Sequence, residues 1–185
     1  MDAAIIQELG LKNGNDYFLA FLSLDIAGSS KIVGAYDSDQ VHDAFMGFRE
    51  FVAGKVMKYG GTICQWEGDG GTVVFKEDMF SAVMCGVEIV LFLILYNLLV
   101  SRLPENINIR AAIHGDTVAY TDMTDLLEIQ PKILADDVQK QATPKNNLVI
   151  SDKVYHRLPE KTQRSFEKFF FTPLEIELYE YRKAQ

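Results

Sequence analysis

The stretch Ala82 to Val100 (AVMCGVEIVLFLILYNLLV) is nearly all apolar, interrupted by Glu88 and Asn97. A helix of that composition has no solvated face. It is either buried in a core or an interface, or it crosses a membrane. The two polar interruptions, and the lack of a Lys or Arg close before it to anchor it, favour a helix buried in a core or dimer interface. A chain of 185 residues, 48% of them apolar, can supply one such core but not two full domains.

Around that helix the pattern alternates strands and helices. Tyr17 to Leu24 (YFLAFLSL) reads as a buried strand. It ends in Asp25, and Ile26-Ala27-Gly28-Ser29-Ser30 follows as a turn and helix start. Val41, Phe45, Phe48, Val52 and Val56 recur at helical spacing, with Ser38 to cap and Gly60 to close. Thr62 to Trp66 and Thr72 to Phe75 read as a hairpin around Glu67-Gly68-Asp69-Gly70-Gly71, where Asp-Gly is a tight-turn signal. The apolar helix is expected from about Asp78 to Leu103, before Pro104.

A strand over 107–118, a loop over 121–128, a helix from Pro131 to Gln141 and a strand from Asn147 to Ile150 come next. A short helix from Asp152 to Leu158 and a final strand from Glu175 to Tyr181 complete the order. This predicts an α+β fold, a ferredoxin-like βαββαβ sandwich with a C-terminal extension. Residues 1–16 read as an N-terminal lead-in and 17–185 as the domain.

The formal charge of −8, from 18 basic and 26 acidic residues, argues against a surface that coats a nucleic-acid polymer. An acidic chain still accepts a polyanion where a divalent cation sits between them. Cys64 and Cys85, both in apolar surroundings, read as buried thiols of a reducing compartment rather than a disulfide framework. Met1-Asp2-Ala3-Ala4 shows no basic leader. A cytoplasmic location is the expectation.

Two acids stand where strands end. Asp25 closes the first strand and Asp69 occupies the hairpin tip, 44 positions later. In a β-α-β-β arrangement the first strand lies beside the hairpin, so both reach one edge of the sheet. Taken singly, an Asp after a strand is a helix cap and an Asp-Gly is a turn. As a pair of converging carboxylates they suit Mg²⁺ or Mn²⁺. The amides of Gly28, Ser29 and Ser30 would then offer a phosphate cradle. Such a metal–triphosphate site serves in-line attack at phosphorus.

At this point the sequence resembles a known family. Phe21-Leu22-Ser23-Leu24-Asp25-Ile26-Ala27-Gly28-Ser29-Ser30 is similar to the opening strand and first metal loop of class III nucleotidyl cyclases, the adenylate/guanylate cyclase catalytic domain. Gly61 to Gly70 (GTICQWEGDG) resembles the second metal hairpin. Ile109 to Gly115 (IRAAIHG) resembles the following strand. Ala142-Thr143-Pro144 with Leu148-Val149-Ile150-Ser151 resembles a later helix end and strand.

The resemblance implies that Asp25 and Asp69, helped by the Ile26 carbonyl, bind two Mn²⁺ or Mg²⁺ ions per site. It implies phosphate contacts at Ala27, Gly28, Ser29 and Ser30. The 3′-hydroxyl of a nucleoside triphosphate would attack the α-phosphorus and release pyrophosphate, in a site shared by a homodimer. The Trp66-Glu67-Gly68-Asp69-Gly70-Gly71 hairpin resembles those of stand-alone bacterial pyrimidine cyclases of anti-phage signalling (Pycsar-type), which make cyclic UMP or cyclic CMP.

The chain also departs from the purine-specific pattern. Where that family carries Lys or Glu four residues before the second metal Asp, this chain has Gln65. Gln65, with Tyr59 and Arg110, is the base-recognition candidate. The family's Asn and Arg on the later helix align with Ile133 and Asp137, and no phosphate-gripping Lys stands in Phe171-Thr172-Pro173-Leu174-Glu175. Lys132 and Lys140 read as a solvated helix face, His114 as a buried hydrogen-bonded histidine, and Trp66 as core. The alternatives are a catalytically degenerate nucleotide-binding module and an adenylate or guanylate cyclase. A diguanylate cyclase would need Gly-Gly-Asp-Glu-Phe, which is absent.

Overall fold

Strand β1 (Asn15–Ile26) is the centre of the molecule, buried without interruption from Phe18 to Leu24. Continuous aromatic and aliphatic residues of this kind belong to a strand covered on both faces. The computed structural model describes residues 3–183. The leader-free N-terminus expected from Met1 and Asp2 therefore lies mostly outside the described residues.

The chain runs α1 (Ala3–Leu9), β1, α2 (Ser29–Ala35), α3 (Ser38–Lys58), β2 (Thr62–Glu67), β3 (Gly70–Lys76), α4 (Met79–Leu99), β4 (Ile109–Tyr120) and α5 (Gln130–Gln141). It continues with β5 (Asn147–Ser151), α6 (Asp152–Tyr155), α7 (Glu160–Gln163), β6 (Phe166–Phe171) and β7 (Ile176–Tyr181). The strands form one sheet in the order β2-β3-β1-β4-β5-β7-β6. β1 pairs antiparallel with β3 and β4, and β4 pairs parallel with β5. This is the expected α+β fold. β6, where the sequence pattern predicts no element, closes the far edge as a hairpin with β7. The segment read as a lead-in supplies α1, whose Leu9, with Leu11, packs into a cluster with Leu19, Phe21 and Val74.

The period of two along each strand divides the core. On one face Ala20, Leu22, Leu24 and Ile26 of β1 meet Val41, Ala44, Phe48, Val52 and Val56 of α3 and the buried side of α4. The other face, carrying Leu19 and Phe21, is covered by α1 and α5. Ser23 and Asp25 fall on that second face by alternation.

Both polar interruptions of α4 have structural roles. The Asn97 side chain donates to the Ile107 carbonyl and accepts from the Ile107 N–H, each at 2.9 Å, pinning the loop that leads into β4. Glu88 receives Lys58 at 2.7 Å and Lys55 at 3.1 Å, tying α4 to α3. All-round burial is not met: Phe80 is 45% exposed near the start, and Ile94 is 63%, Leu98 70% and Leu99 78% exposed in the second half. The helix is long and apolar enough to cross a membrane, and half of its most apolar window is buried against protein.

Hydrogen bonds from Lys58, Tyr59 and Lys55 draw the Glu88 carboxyl down from 4.5 to about 2. A depressed carboxyl stabilises the fold above its unfolded value and loses that contribution as pH falls through its folded value. The stability advantage of wild type over Glu88→Gln should therefore be full at neutral pH and vanish between pH 4.5 and about 2. Thermal unfolding of both proteins across that range checks this. A difference independent of pH would remove Glu88 as its source.

Candidate active site

The register of three strands assembles the site. Asp25, near the end of β1, lies opposite Gly70 of β3 and opposite Arg110 of β4. Ile26 donates its N–H to the Asp69 carbonyl at 3.0 Å, so the hairpin tip is stitched to the end of β1. A Cβ on Gly70 would stand 2.6 Å from the Leu24 carbonyl oxygen and 3.0 Å from Asp25 Cα. Only glycine allows this approach. The tip itself turns at Gly68, φ 55°, a left-handed conformation that glycine adopts without strain.

A cavity of about 300 Å³ opens at this edge, lined by Asp25, Gln65, Glu67 and Asp69 and, from α5, by Lys132, Asp136, Gln139 and Lys140. The volume is at the small end for ligand sites. Larger concavities lie elsewhere, including one of about 570 Å³ between α1, α3 and β2. Neither that one nor an aromatic-lined one beside Trp66 brings the two aspartates together. The convergence of charged groups, not size, marks the site.

The two aspartates differ. Arg110 grips both oxygens of Asp25, with Nη2 to Oδ2 at 2.8 Å and Nε to Oδ1 at 3.2 Å. Gln139, 2% exposed, donates Nε2 to Asp25 Oδ1 at 2.6 Å. The Asp69 carboxylate has no hydrogen-bond or ion-pair partner among the described residues. Arg110 also donates Nη1 to the Lys140 carbonyl at 3.2 Å, satisfying one of the open carbonyls in the last turn of α5.

The other sequence candidates divide. Gln65 lines the cavity and donates to Glu67 at 2.6 Å. Arg110 is spent on Asp25 and Lys140. Tyr59 is not among the lining residues; it ends α3 beside Glu88, with Lys58 over its ring at 5.0 Å. Gly28 (φ 83°), Ser29 and Ser30 open α2 just beyond β1, outside the cavity lining. Ala27 also lies outside the lining, and its N–H goes to the Asn108 carbonyl at 2.7 Å.

Lys132 is corrected too. Its side chain is 12% exposed and pairs with Asp136 at 2.8 Å inside the cavity wall, not on a solvated face. Positions 132, 136, 139 and 140 share one side of α5, whereas Ile133 and Asp137 lie off it. Gln139 and Asp136 are the site residues that sequence reasoning missed. The helical spacing from Lys132 was the available signal.

His114 is buried as expected, but its Nδ1 lacks a hydrogen-bond partner, as does Ser151 Oγ, among the described residues. Burial pushes its pKa down to about 4, so it is neutral at neutral pH. Trp66 packs on the core with its ring 6.0 Å from that of Phe48. Burial raises both thiols, Cys64 and Cys85, to about 12, which leaves them inert.

No group of three His, Cys, Asp or Glu side chains among the described residues could cage a metal alone. Two hard carboxylates at one edge nevertheless fit Mg²⁺ or Mn²⁺, which take one or two carboxylates and complete their shell with phosphate and water. The donor set fits a cation that arrives with a polyphosphate.

No protein-family model and no curated protein sequence matches the chain. Solved structures do. The guanylyl cyclase Cya2 superposes with a TM-score of 0.78 at 17% identity, covering 94% of this chain and 96% of that one. The adenylyl cyclase CyaB from P. aeruginosa gives 0.75 at 15% identity, covering 92% and 96%. The guanylate cyclase domain of RhGC from Catenaria anguillulae, in complex with GTP, gives 0.75 at 13%, covering 92% and 100%. The fold is that of class III adenylate and guanylate cyclase catalytic domains.

Proposed function

We propose that this chain is a metal-dependent nucleotidyl cyclase that converts a pyrimidine nucleoside triphosphate, UTP or CTP, into its 3′,5′-cyclic monophosphate and pyrophosphate. One observation carries the reading: β1–β3 register and the Gly70 contact place Asp25 and Asp69 together on a cavity of the cyclase fold. Bound there, Mn²⁺ or Mg²⁺ would lower the pKa of the attacking hydroxyl and neutralise charge on the phosphoryl oxygens. The chain's own part is to bring the two aspartates to one cavity and to present Gln65 and Glu67 beside them.

The base preference rests on Gln65. A neutral amide both donates and accepts, unlike the Lys or Glu that selects a purine in the family this sequence resembles. The cavity is small, which agrees with half a site completed by a second copy in a homodimer. A cytoplasmic second-messenger role in bacterial anti-phage defence belongs to the same proposal and rests on the hairpin resemblance.

A non-catalytic nucleotide-binding module is the second reading. Asp25 is held by Arg110 and Gln139, and the aligned Asn and Arg positions are Ile133 and Asp137. Incubation with Mn²⁺ and each of ATP, GTP, CTP and UTP, with products identified by mass spectrometry, separates the two. A cyclic pyrimidine nucleotide is expected. A purine product would overturn the base assignment, and no product from any of the four would establish the non-catalytic reading.

A further inference from the structure

Asp25 is read above as a metal ligand, yet both of its oxygens are already engaged. The partners come from two other elements, Arg110 of β4 and Gln139 of α5. The pair is part of the framework. Asp25 and Arg110 are directly opposed in the β1–β4 register, and the same guanidinium reaches the Lys140 carbonyl at the end of α5. One cation thus ties two strands and a helix together at the edge where a metal would bind.

We infer that Arg110 is a built-in competitor for the Asp25 carboxylate, a latch that weakens binding of a bare divalent cation, while Gln139 holds Asp25 in place whether or not Arg110 is engaged. This rests on the reading of Asp25 as a metal ligand and adds its regulation.

The two neighbours act with opposite sign because their chemistry differs. A guanidinium and a divalent cation neutralise the same charge, so one must yield to the other. The Gln139 amide is neutral. It fixes the orientation of Oδ1 without competing for the carboxylate's charge. Side-chain exposures of 29% for Arg110 and 24% for Asp25 keep the pair in contact with solvent, so its strength is moderate and displacement is feasible. A cation carrying polyphosphate oxygens brings ligands that a bare ion lacks. The latch therefore makes the site selective for the metal–polyphosphate pair over the metal alone.

Titration of the full chain with Mn²⁺ and no nucleotide, followed by the electron paramagnetic resonance signal of the free ion, tests this. Arg110→Met should bind Mn²⁺ about tenfold more tightly than wild type, the size expected of losing a charge-assisted fork at a partly exposed position. Arg110→Lys, which keeps the charge but not the fork, should fall between them and serves if the Met variant is poorly folded. Gln139→Leu should bind no more tightly than wild type. A merely structural role would weaken binding in every variant.

Equal or weaker binding by both Arg110 variants, or no Mn²⁺ binding by any protein, overturns the latch. Its failure is distinct from failure of the cyclase reading. Cyclic product without the Mn²⁺ shift removes only the latch, and the shift without product removes only the cyclase.

Discussion

Under the proposed cyclase function, Asp69→Asn is expected to reduce cyclic-nucleotide formation about a thousandfold while leaving the fold almost untouched, because metal stabilisation of a phosphoryl transition state is worth several kcal/mol. The substitution is nearly isosteric. The two-residue turn is Gly68-Asp69, with the left-handed φ carried by Gly68, so Asn in place of Asp at its second position gives the β2–β3 connection no reason to change. The carboxylate has no partner among the described residues, so no buried group is orphaned when it goes. Stability should stay within about 0.5 kcal/mol of wild type, the usual range for a surface substitution. Quantifying product by mass spectrometry beside thermal unfolding checks both halves. Activity within tenfold of wild type would remove Asp69 from the proposed metal site.

Asp25→Asn makes a useful contrast. It removes the same chemistry but leaves the Arg110 guanidinium without its carboxylate, so activity and stability should fall together. Similar positions in sequence logic thus differ in physical consequence. Asp69 stands free at a turn, whereas Asp25 is the joint between β1, β4 and α5.

That difference also marks what the chain reveals before it is folded. The meeting of Asp25 and Asp69 was legible because two local signals specify it: a buried strand ending in Asp, and an Asp-Gly tip on a short hairpin. The Arg110 contact was not. It depends on β1–β4 register between residues 85 positions apart, and alternation alone does not say which face of β4 meets α5. Once the core is seen, Ile109, Ala111 and Ile113 occupy the α4 side and leave Arg110 to the other. Gln139 escaped notice because its one signal, helical spacing from Lys132, points to the site only once Lys132 is seen to line it. β6 escaped because Phe166–Phe171 (FEKFFF) has no clean alternation. The apolar α4 is legible as a helix but is less buried than its composition predicts, since composition says what a helix can hide, not how much its neighbours cover.

Gly70→Ala should be nearly as damaging to activity as loss of a carboxylate, and for a purely steric reason. The added Cβ would sit 2.6 Å from the Leu24 carbonyl oxygen and 3.0 Å from Asp25 Cα and Cβ. These are atoms of β1, most of them backbone, and no flexible side-chain end is there to give way. The hairpin must move off β1, carrying Asp69 away from Asp25 and straining the bond from the Ile26 N–H to the Asp69 carbonyl. A misplacement of about 1 Å costs on the order of a hundredfold in rate. Overpacking of this kind costs about 1–3 kcal/mol in stability. Gly34→Ala is the control. Gly34 lies within α2 with nothing within 4 Å of an added Cβ, so alanine there should be neutral or stabilising by about 0.5–1 kcal/mol. Product yield and unfolding temperature of the two variants, measured side by side, decide the matter. If Gly70→Ala retains wild-type activity, the close approach of the hairpin to Asp25 does not set the metal geometry.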